Sequence, residues 1–367
     1  MTATGSIFTP DTVVITGGAG FIGGTLVRWL LANTPDVRVV TYDALTYAGN
    51  LDSLAPVFSR HGAHGDGRHY FVKGDIRDAE LLASVLNGSG KETGTDRPVP
   101  RADAIMHLAA ESHVDRSILG PAEFISTNVV GTQVVLESVR QTLTEAPRTF
   151  RMLHVGTDEV YGDLEPSEAA WTEDALIRPS SPYAASKASA DHLVNAWHRT
   201  FGTPVLITRC GNNYGPYQFP EKLIPLVTTR AMAGSTIPVY GDGMQVRDWI
   251  HAEDHARALW AVLTRGALGR TYHVSAGEQK NNREVITSIL RQVGQPESLM
   301  TRVTDRLGHD RRYALDNRRI VTELGWQPTI RWDDGIAQTV RWYQENREWW
   351  GRVTSEAYRA AEALYLR

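Results

Sequence analysis

Short apolar runs alternate along the chain with longer segments of helical periodicity. The runs that predict buried strands are TVVIT (12–16), VRVVTY (37–42), HYFVK (69–73), DAIMHLA (103–109), FRMLHV (150–155), PVLITR (204–209) and TYHV (271–274). Helical patterns lie between them, the longest at about 121–145 and 182–201. This alternation predicts an α/β protein with a parallel, doubly wound sheet of the Rossmann type.

The pattern changes beyond about residue 210. Short elements there are separated by turns that contain proline and glycine, as in YGPYQFP and VYGDGMQ. No Ser- or Gly-rich linker separates the two parts, so we expect a second lobe that is interleaved with the first. We predict that residues 1–210 form mainly the Rossmann domain, with contributions from later segments such as 249–275. Residues 211–367 are predicted to form mainly a smaller substrate-binding lobe.

Composition narrows the class of protein. The chain is 42% hydrophobic and 22% charged, which is ordinary for a soluble globular protein. The net charge of −4 gives no basic field, so we expect neither nucleic acid nor a membrane as a partner. The single cysteine, Cys210, excludes an internal disulfide and a Cys-rich zinc site. The N-terminal MTATGSIFTPDT lacks the pattern of a secretion signal, so we expect a cytoplasmic protein.

A glycine cluster, ITGGAGFIGG, follows the first predicted strand and opens a helix. Gly17, Gly20 and Gly23 permit a tight turn and the close approach of a pyrophosphate to the helix N-terminus. Asp43 ends the second predicted strand, where a carboxylate binds both ribose hydroxyls and opposes a 2′-phosphate. The cluster therefore predicts NAD rather than NADP. A triphosphate-binding loop has similar glycine spacing, but Gly24 stands where its lysine is required.

Tyr183 and Lys187 in SPYAASKASA lie four residues apart at the start of a predicted helix, hence on one face. An ammonium beside a phenol favours the phenolate and lowers its pKa toward neutrality. Such a phenolate can take a hydroxyl proton while the carbon beneath loses hydride. The alternative is a surface pair without chemistry, but the preceding strands and glycine cluster favour catalysis.

The stretch GTDEVYGDLE sets two adjacent carboxylates, Asp158 and Glu159, behind the hydroxyl of Thr157 at the end of a strand. One interpretation is a solvated turn. The other is a pair of proton carriers that serve opposite ends of one substrate bond. A further pair, His251 and His255 in HAEDH, has a helical spacing that can bind zinc, but no third ligand lies nearby in the sequence, so we predict no metal.

These motifs and their order resemble the extended short-chain dehydrogenase/reductase family, whose members modify nucleotide sugars. The resemblance is closer to one branch, the dTDP-glucose 4,6-dehydratases. It is carried by TGGAGFIG, DALTYAGN, GDIRD, HLAAESHVDRS, TDEVYGDL, SPYAASKA, NNYGPYQFPEKLIP, VRDWI and GHDRRYALD, which run from residue 12 to about 316.

The resemblance implies an oxidation, an elimination and a reduction in one site. Tyr183, assisted by Lys187, takes the C4 hydroxyl proton while hydride passes from C4 to NAD. Glu159 then removes the C5 proton and Asp158 protonates the departing C6 hydroxyl. Thr157 makes a hydrogen bond to the C4 oxygen. Hydride returns to C6 and a proton to C5, which gives the 4-keto-6-deoxy sugar with NAD regenerated. Elimination needs a base and an acid at neighbouring carbons, which two carboxylates of separated pKa supply.

The resemblance also implies contact residues. Those expected to contact NAD are Gly17, Gly20, Phe21, Ile22, Gly23, Asp43, Ala44, Leu45, Thr46, Asp75, Ile76, Leu108, Ala109, Ala110, Glu111, Ser112, Thr127, Tyr183, Lys187 and Asn213. Those expected to hold the dTDP-sugar are Ser112, Thr157, Asn212, Lys222, Leu223, Pro238, Val239, Tyr240, Arg247, Asn282, Asp305, Arg306, Leu307, Gly308 and His309. Arg247 suits the diphosphate, its alternative being a surface ion pair with Asp248. Leu307 replaces a family proline, and Gly24 and Gly211 replace small polar residues.

We therefore expect a dTDP-glucose 4,6-dehydratase activity. A dehydratase of UDP-glucose or GDP-mannose, or a non-catalytic NAD-binding regulator on the same fold, are the alternatives. The family's helices corresponding to 121–145 and 182–201 meet their two-fold mates as a four-helix bundle, so we expect a homodimer.

Overall fold

The computed structural model describes residues 7–354, and a seven-stranded parallel sheet forms its centre. The sheet has the order β10-β6-β5-β4-β1-β2-β3. The strands are β1 (Thr12–Thr16), β2 (Arg38–Asp43), β3 (His69–Lys73), β4 (Ala104–His107), β5 (Arg151–Thr157), β6 (Val205–Cys210), β7 (Asn212–Tyr214), β8 (Ile237–Tyr240), β9 (Val246–His251), β10 (Thr271–Val274), β11 (Gln279–Asn281) and β12 (Met300–Val303). The predicted parallel, doubly wound sheet is confirmed.

Helices cover both faces of this sheet and build the second lobe. They are α1 (Phe21–Asn33), α2 (Ala55–His61), α3 (Ala79–Asn87), α4 (Val114–Leu119), α5 (Pro121–Phe124), α6 (Thr132–Glu145), α7 (Pro182–Phe201), α8 (Leu223–Met232), α9 (Ala252–Arg265), α10 (Asn282–Val293), α11 (Arg318–Leu324), α12 (Trp332–Glu345) and α13 (Arg347–Thr354). Short 3₁₀ helices occupy Leu51–Leu54, Asp158–Tyr161 and Glu297–Leu299. Within residues 7–354 no helix is long and apolar enough to cross a membrane.

Two apolar cores flank the sheet and a third lies in the second lobe. Residues of α1 and α9 pack on one sheet face, and residues of α3, α6 and α7 pack on the other. The third core is built from α8, α10 and α12 together with β8 and β9. Because helices cover both faces of the sheet, β1 is buried at all five positions. Such strands have near-continuous apolar sequences.

The sheet reverses its winding at β1, which pairs with β2 on one side and with β4 on the other. The connections after β1 and β4 leave in opposite directions at this point, and a crevice opens at the carboxyl ends of the strands. The glycine cluster follows β1, and the Thr157–Glu159 turn follows β5. The fold thus brings both motifs to one edge of the sheet.

Several predicted boundaries differ from the structure. The runs at 12–16, 69–73 and 271–274 match strands without change, whereas the others shift by one or two residues at an end. The helix predicted at 121–145 is not uniform, because residues Ile125–Gly131 adopt a π-helical turn between α5 and α6. Two parts of the predictions lie outside the described residues. Residues 1–6 begin the predicted Rossmann domain and the segment predicted not to be a secretion signal. Residues 355–367 end the predicted second lobe.

Candidate active site

The N-terminus of α1 forms the floor of a first cleft. Gly20 is its N-cap, no side chain caps the helix, and the first turn holds no acidic residue. The first-turn N–H groups are therefore available to an anion. Gly17 has φ +71°, and a Cβ there would lie 2.8 Å from Ala109, while a Cβ at Gly23 would lie 2.1 Å from the carbonyl oxygen of Gly17. Only glycine fits these two positions, so the cradle suits a pyrophosphate.

Asp43 ties the glycine loop to the end of β2. Its Oδ2 accepts a hydrogen bond from the Ala19 N–H (2.9 Å) and its Oδ1 accepts one from the Leu45 N–H (2.8 Å). Asp43 lines the first cleft and is 8% exposed, and burial raises the pKa of its carboxyl. Each carboxylate oxygen retains a lone pair for a ribose hydroxyl.

The first cleft runs along the carboxyl ends of β1, β2, β4 and β5. Of the residues predicted to contact NAD, nineteen of twenty line it, and Leu45 does not. Leu45 has φ +55° and packs against the apolar core beneath. The Leu45 N–H holds the Asp43 carboxylate. The sequence alone could not distinguish this supporting role from a direct contact with the cofactor. The cleft thus has the residues that a dinucleotide needs.

The turn after β5 presents the two adjacent carboxylates. Thr157 caps the 3₁₀ helix by accepting a hydrogen bond from the Glu159 N–H (3.3 Å), and its hydroxyl donates to Asp158 Oδ1 (3.2 Å). Asp158 is 2% exposed, and its Oδ2 lacks a partner among the described atoms. Such burial is incompatible with a solvated turn.

The environments of the two carboxyls separate their pKa values. Burial raises the pKa of Asp158 well above its usual range, and the Glu159 charge raises it further. Burial also raises the pKa of Glu159, but Arg247 and Lys222 oppose that effect. Asp158 therefore keeps its proton more readily than Glu159, which is the arrangement that suits an acid beside a base.

Tyr183 and Lys187 lie on the first two turns of α7, which Ser181 caps and Pro182 begins. Tyr183 is 8% exposed and Lys187 is 5% exposed, so the surface-pair alternative is excluded. The Lys187 Nζ donates to the Val155 carbonyl oxygen (2.8 Å). The two side chains thus line the first cleft together with the Thr157–Glu159 turn.

The expected lowering of the Tyr183 pKa is wrong for the protein on its own. Burial raises the pKa of the phenol well above its usual value, and the Glu159 charge adds to the rise. Burial also lowers the pKa of Lys187, and Asp191 opposes this. Desolvation is therefore the main cause at Tyr183, and a phenolate needs additional positive charge in the cleft.

A second cleft opens from the Thr157–Glu159 turn toward the second lobe. Ten residues predicted to hold the sugar nucleotide line it: Asn212, Lys222, Leu223, Pro238, Tyr240, Arg247, Asn282, Arg306, Gly308 and His309. Ser112 and Thr157 line the first cleft instead. Six residues line both clefts, which therefore meet at these side chains: Glu159, Asn212, Asn213, Gln218, Glu221 and Lys222.

Arg247 supplies a buried cation in this second cleft. Its guanidinium lies 4.1 Å above the Tyr313 ring and donates to the carbonyl oxygens of Val246 and Asp310. Asp248, the suggested ion-pair partner, instead accepts hydrogen bonds from the N–H groups of Ala276 and Gly277.

Three predicted sugar-nucleotide residues do not line the second cleft. Val239 packs in the apolar core of the second lobe, and Leu307 is 77% exposed. Asp305 accepts hydrogen bonds from Gln245 and His309 and so supports the loop that carries His309. All three adjoin cleft residues in sequence, which made them indistinguishable by motif.

The sequence missed Asn128, which lies in the π-helical turn. Its amide accepts from the Glu111 N–H (2.8 Å) and donates to the Glu111 carbonyl oxygen and to Ser186 Oγ (both 2.9 Å). Asn128 thereby fixes the segment after β4 against α7. Only the π turn itself, a feature common at functional sites, indicates this role.

The histidines of HAEDH have structural contacts. His251 caps α9 by accepting from the Glu253 N–H, and His255 Nδ1 lies 2.8 Å from Asn213 Oδ1. Among residues 7–354 no group of three or more His, Cys, Asp or Glu side chains could hold a metal ion.

The chain was compared with known proteins. The family model for GDP-mannose 4,6 dehydratase matches residues 14–339. A dTDP-glucose 4,6-dehydratase of Escherichia coli is 46% identical, over 96% of this chain and 99% of that protein. The crystal structure of DesIV, a dTDP-glucose 4,6-dehydratase from Streptomyces venezuelae with NAD and TYD bound, has a TM-score of 0.84 and 49% identity, over 93% of this chain and 99% of DesIV.

A second crystal structure gives the same result. The dTDP-glucose 4,6-dehydratase of Bacillus anthracis in complex with NAD has a TM-score of 0.80 and 39% identity, over 93% of this chain and 99% of that one. The fold and the cleft define a short-chain dehydrogenase/reductase. The chain belongs to the dTDP-glucose 4,6-dehydratase family.

Proposed function

We propose that this chain converts dTDP-glucose into dTDP-4-keto-6-deoxy-glucose and water, with NAD as a recycled cofactor. The observation that carries this proposal is the meeting of the two clefts at Glu159. That side chain lines both clefts, whereas Thr157 and Asp158 line the first and Arg247 lines the second. A sugar attached to a diphosphate in the second cleft would reach the redox end of the first.

The cofactor cradle supports NAD. The α1 N-terminus, Gly17 and Gly23 would hold the pyrophosphate, and Asp43 would hold the ribose hydroxyls. When bound, the oxidised dinucleotide supplies a reversible hydride acceptor and a positive charge. That charge is what Tyr183 lacks in the protein alone, so ionisation of the phenol would follow cofactor binding.

In the oxidation, Tyr183 would take the proton of the C4 hydroxyl as the hydride leaves C4. Lys187 would hold the resulting charge from the next turn of α7, and its Nζ is fixed by the Val155 carbonyl oxygen. Thr157 would donate to the C4 oxygen. The product of this step is a 4-ketone, which acidifies the neighbouring C5 proton.

In the elimination, Glu159 would take the C5 proton and Asp158 would protonate the leaving C6 oxygen. The raised pKa of Asp158 favours its protonated form, while Arg247 and Lys222 oppose the rise in the pKa of Glu159. One water leaves, hydride is returned to C6 and a proton to C5. Each carboxyl thus has an environment that matches its role.

In this proposal the two lobes bind different ligands. Residues 1–210, with β10 and α9, would hold NAD, and residues 211–367 would hold most of the sugar nucleotide. Arg247 is the proposed diphosphate contact because a desolvated guanidinium gives strong charge-assisted hydrogen bonds. Lys222, whose Nζ donates to the Ser112 carbonyl oxygen, would join the two ligands.

The same proposal includes a cytoplasmic homodimer. Ile125, Val130 and Phe201 are large apolar side chains on the segments predicted to form a four-helix bundle, and each is about half exposed. Such an apolar face is typical of an interface in a symmetric dimer.

The test is a comparison of dTDP-glucose, UDP-glucose and GDP-mannose as substrates, with the 4-keto-6-deoxy product measured for each. We expect turnover with dTDP-glucose to exceed the other two. Preferred turnover of UDP-glucose or GDP-mannose would contradict the substrate, and no turnover of any of them, with NAD bound, would indicate a non-catalytic NAD-binding protein.

A further inference from the structure

The last described helix, α13, packs against the outer wall of the first cleft. Its Trp349 is 7% exposed and lines that cleft. The indole meets the Tyr217 ring edge-on at 5.5 Å between centroids and the Trp342 ring at 5.1 Å. From the same helix, Arg352 Nε lies 3.0 Å from Asp52 Oδ2. The helix α13 thus contacts Tyr217, which lines the cleft, and Asp52, which is adjacent to the lining residue Ser53.

Tyr217 connects Trp349 to the glycine-cluster helix. Its φ of +66° is unfavourable for a residue with a Cβ, so surrounding contacts must hold it. Those contacts are the Trp342 ring at 4.5 Å and the Arg28 guanidinium of α1 at 4.1 Å. Arg28 is itself fixed by donating to the Ser53 carbonyl oxygen (2.9 Å). An aromatic clamp, consisting of Trp349, Trp342 and Tyr217, therefore rests on the cofactor cradle.

The Trp349 indole N–H has no hydrogen-bond partner among the described residues. Other buried tryptophans in the described chain also have an indole N–H without a partner, but among them only Trp349 lines the first cleft. The adjacent Trp350 differs, since its Nε1 donates to the Tyr343 carbonyl oxygen (2.9 Å). A buried donor without an acceptor is unfavourable, so a ligand oxygen in the cleft would stabilise the protein by accepting from it.

We propose that Trp349 is a cofactor-binding residue, which donates its indole N–H to a phosphate or ribose oxygen of the bound dinucleotide. The aromatic clamp then slows NAD release, so that the cofactor stays bound between oxidation of one carbon and reduction of another. This inference rests on the proposed use of NAD. It gives α13 a function that neither the glycine cluster nor the motifs around it supply.

The experiment compares Trp349→Phe with Trp350→Phe, its matched control. Each protein is reconstituted with NAD, passed through gel filtration and followed for NAD release into an enzymatic trap. We expect Trp349→Phe to release NAD about tenfold faster than wild type, the change expected for one lost hydrogen bond to an anionic or polar oxygen. Trp350→Phe should release NAD at the wild-type rate.

The increase in Tm on NAD binding provides a second readout that cancels any effect of a substitution on the fold. It should shrink for Trp349→Phe and not for Trp350→Phe. Wild-type retention and an unchanged Tm increase in Trp349→Phe would overturn this inference and leave the proposed function intact. A wild-type protein that takes up no NAD would overturn both.

Discussion

Asp158 shows what residue types in a motif predict and what they do not. The adjacency of Asp158 and Glu159 behind a strand indicates two proton carriers. The sequence does not indicate which one holds its proton, because that depends on burial and on charges from distant segments. Arg247, which favours ionisation of Glu159, is 88 residues away in sequence.

Tyr183 illustrates the same limit. A lysine four residues away predicts a lowered pKa, yet the folded protein raises it, because burial desolvates the phenol and the Glu159 charge adds to the rise. Desolvation follows from packing of the whole site and has no signature in a local motif.

The substitution Asp158→Asn should stabilise the protein, and more so at higher pH. The folded-state pKa of Asp158 lies above its unfolded value, so its contribution to stability is fully present below the unfolded pKa and is lost as pH rises through the folded pKa. A neutral amide avoids that loss. We expect a gain of about 0.5–2 kcal/mol in the free energy of unfolding, typical of relief at a functional site.

The measurement is Tm for wild type and Asp158→Asn from about pH 5 to about pH 9. The difference should grow with pH, whereas the exposed Asp96→Asn should show no such trend. A difference independent of pH would mean that Asp158 ionises as an ordinary carboxyl.

At the scale of elements, the strands were the most predictable part of the chain. Buried parallel strands are short apolar runs, and β1, β3 and β10 were predicted at their observed bounds. The π-helical turn at Ile125–Gly131 was not predictable, because its periodicity differs from that of α-helix by a single residue per turn. Asn128, which it directs inward, was missed for that reason.

The buried cation Arg209 on β6 joins α7, which carries Tyr183, to the 3₁₀ helix that carries Asp158 and Glu159. Its Nε donates to Asp191 Oδ2 on α7 (2.7 Å), and a terminal nitrogen donates to the Tyr161 hydroxyl (2.5 Å) in the 3₁₀ helix after Thr157. Arg209 thus connects the helix of Tyr183 to the turn of Asp158. Its role in the fold is positional.

Replacement of Arg209 by methionine should cost about 3–5 kcal/mol in the free energy of unfolding, because it leaves the fully buried Asp191 charge with only the His154 ring, whose Nε2 lies 3.3 Å away. Urea denaturation measures this. The control is Lys91→Met, which breaks an exposed ion pair of the same 2.7 Å length to Asp96 and should have a far smaller effect. Equal losses in both variants would show that the Asp191–Arg209 pair is not a structural link.

For the whole molecule, the two clefts differ in how far the sequence could predict their lining. The first cleft is built mostly from residues at the ends of strands, and nineteen of the twenty residues proposed to contact NAD line it. The second cleft collects loops between residues 113 and 313. Neighbouring residues in an extended segment alternate between facing the cleft and facing away. Three of the proposed residues, Val239, Asp305 and Leu307, do not line the second cleft.

The homodimer makes a prediction at this scale. Val130→Glu puts a charge on the exposed apolar face of the proposed bundle, so light scattering should show a change from twice 40.6 kDa in wild type to 40.6 kDa in the variant. Leu176→Glu is the control, since Leu176 is 69% exposed in a loop outside that face. A wild-type monomer at micromolar concentration would contradict the dimer.

The central claim is that Tyr183 serves the oxidation and that the two carboxyls serve only the elimination. Asp158→Asn combined with Glu159→Gln leaves Thr157, Tyr183 and Lys187 unchanged. The double variant should still reduce the bound nicotinamide when it meets dTDP-glucose. It should form little 4-keto-6-deoxy product, because neither the C5 proton nor the C6 oxygen has its carrier. Tyr183→Phe should slow the reduction itself by about 10²–10⁴-fold.

The most direct test is single-turnover absorbance in the reduced-nicotinamide band, with product analysis of the same reaction. The double variant is predicted to develop the band and hold it, while Glu165→Gln, an exposed carboxylate just past the same turn, is predicted to behave as wild type. Product formation by the double variant at close to the wild-type rate would contradict the assignment of Asp158 and Glu159 as the proton carriers of the elimination.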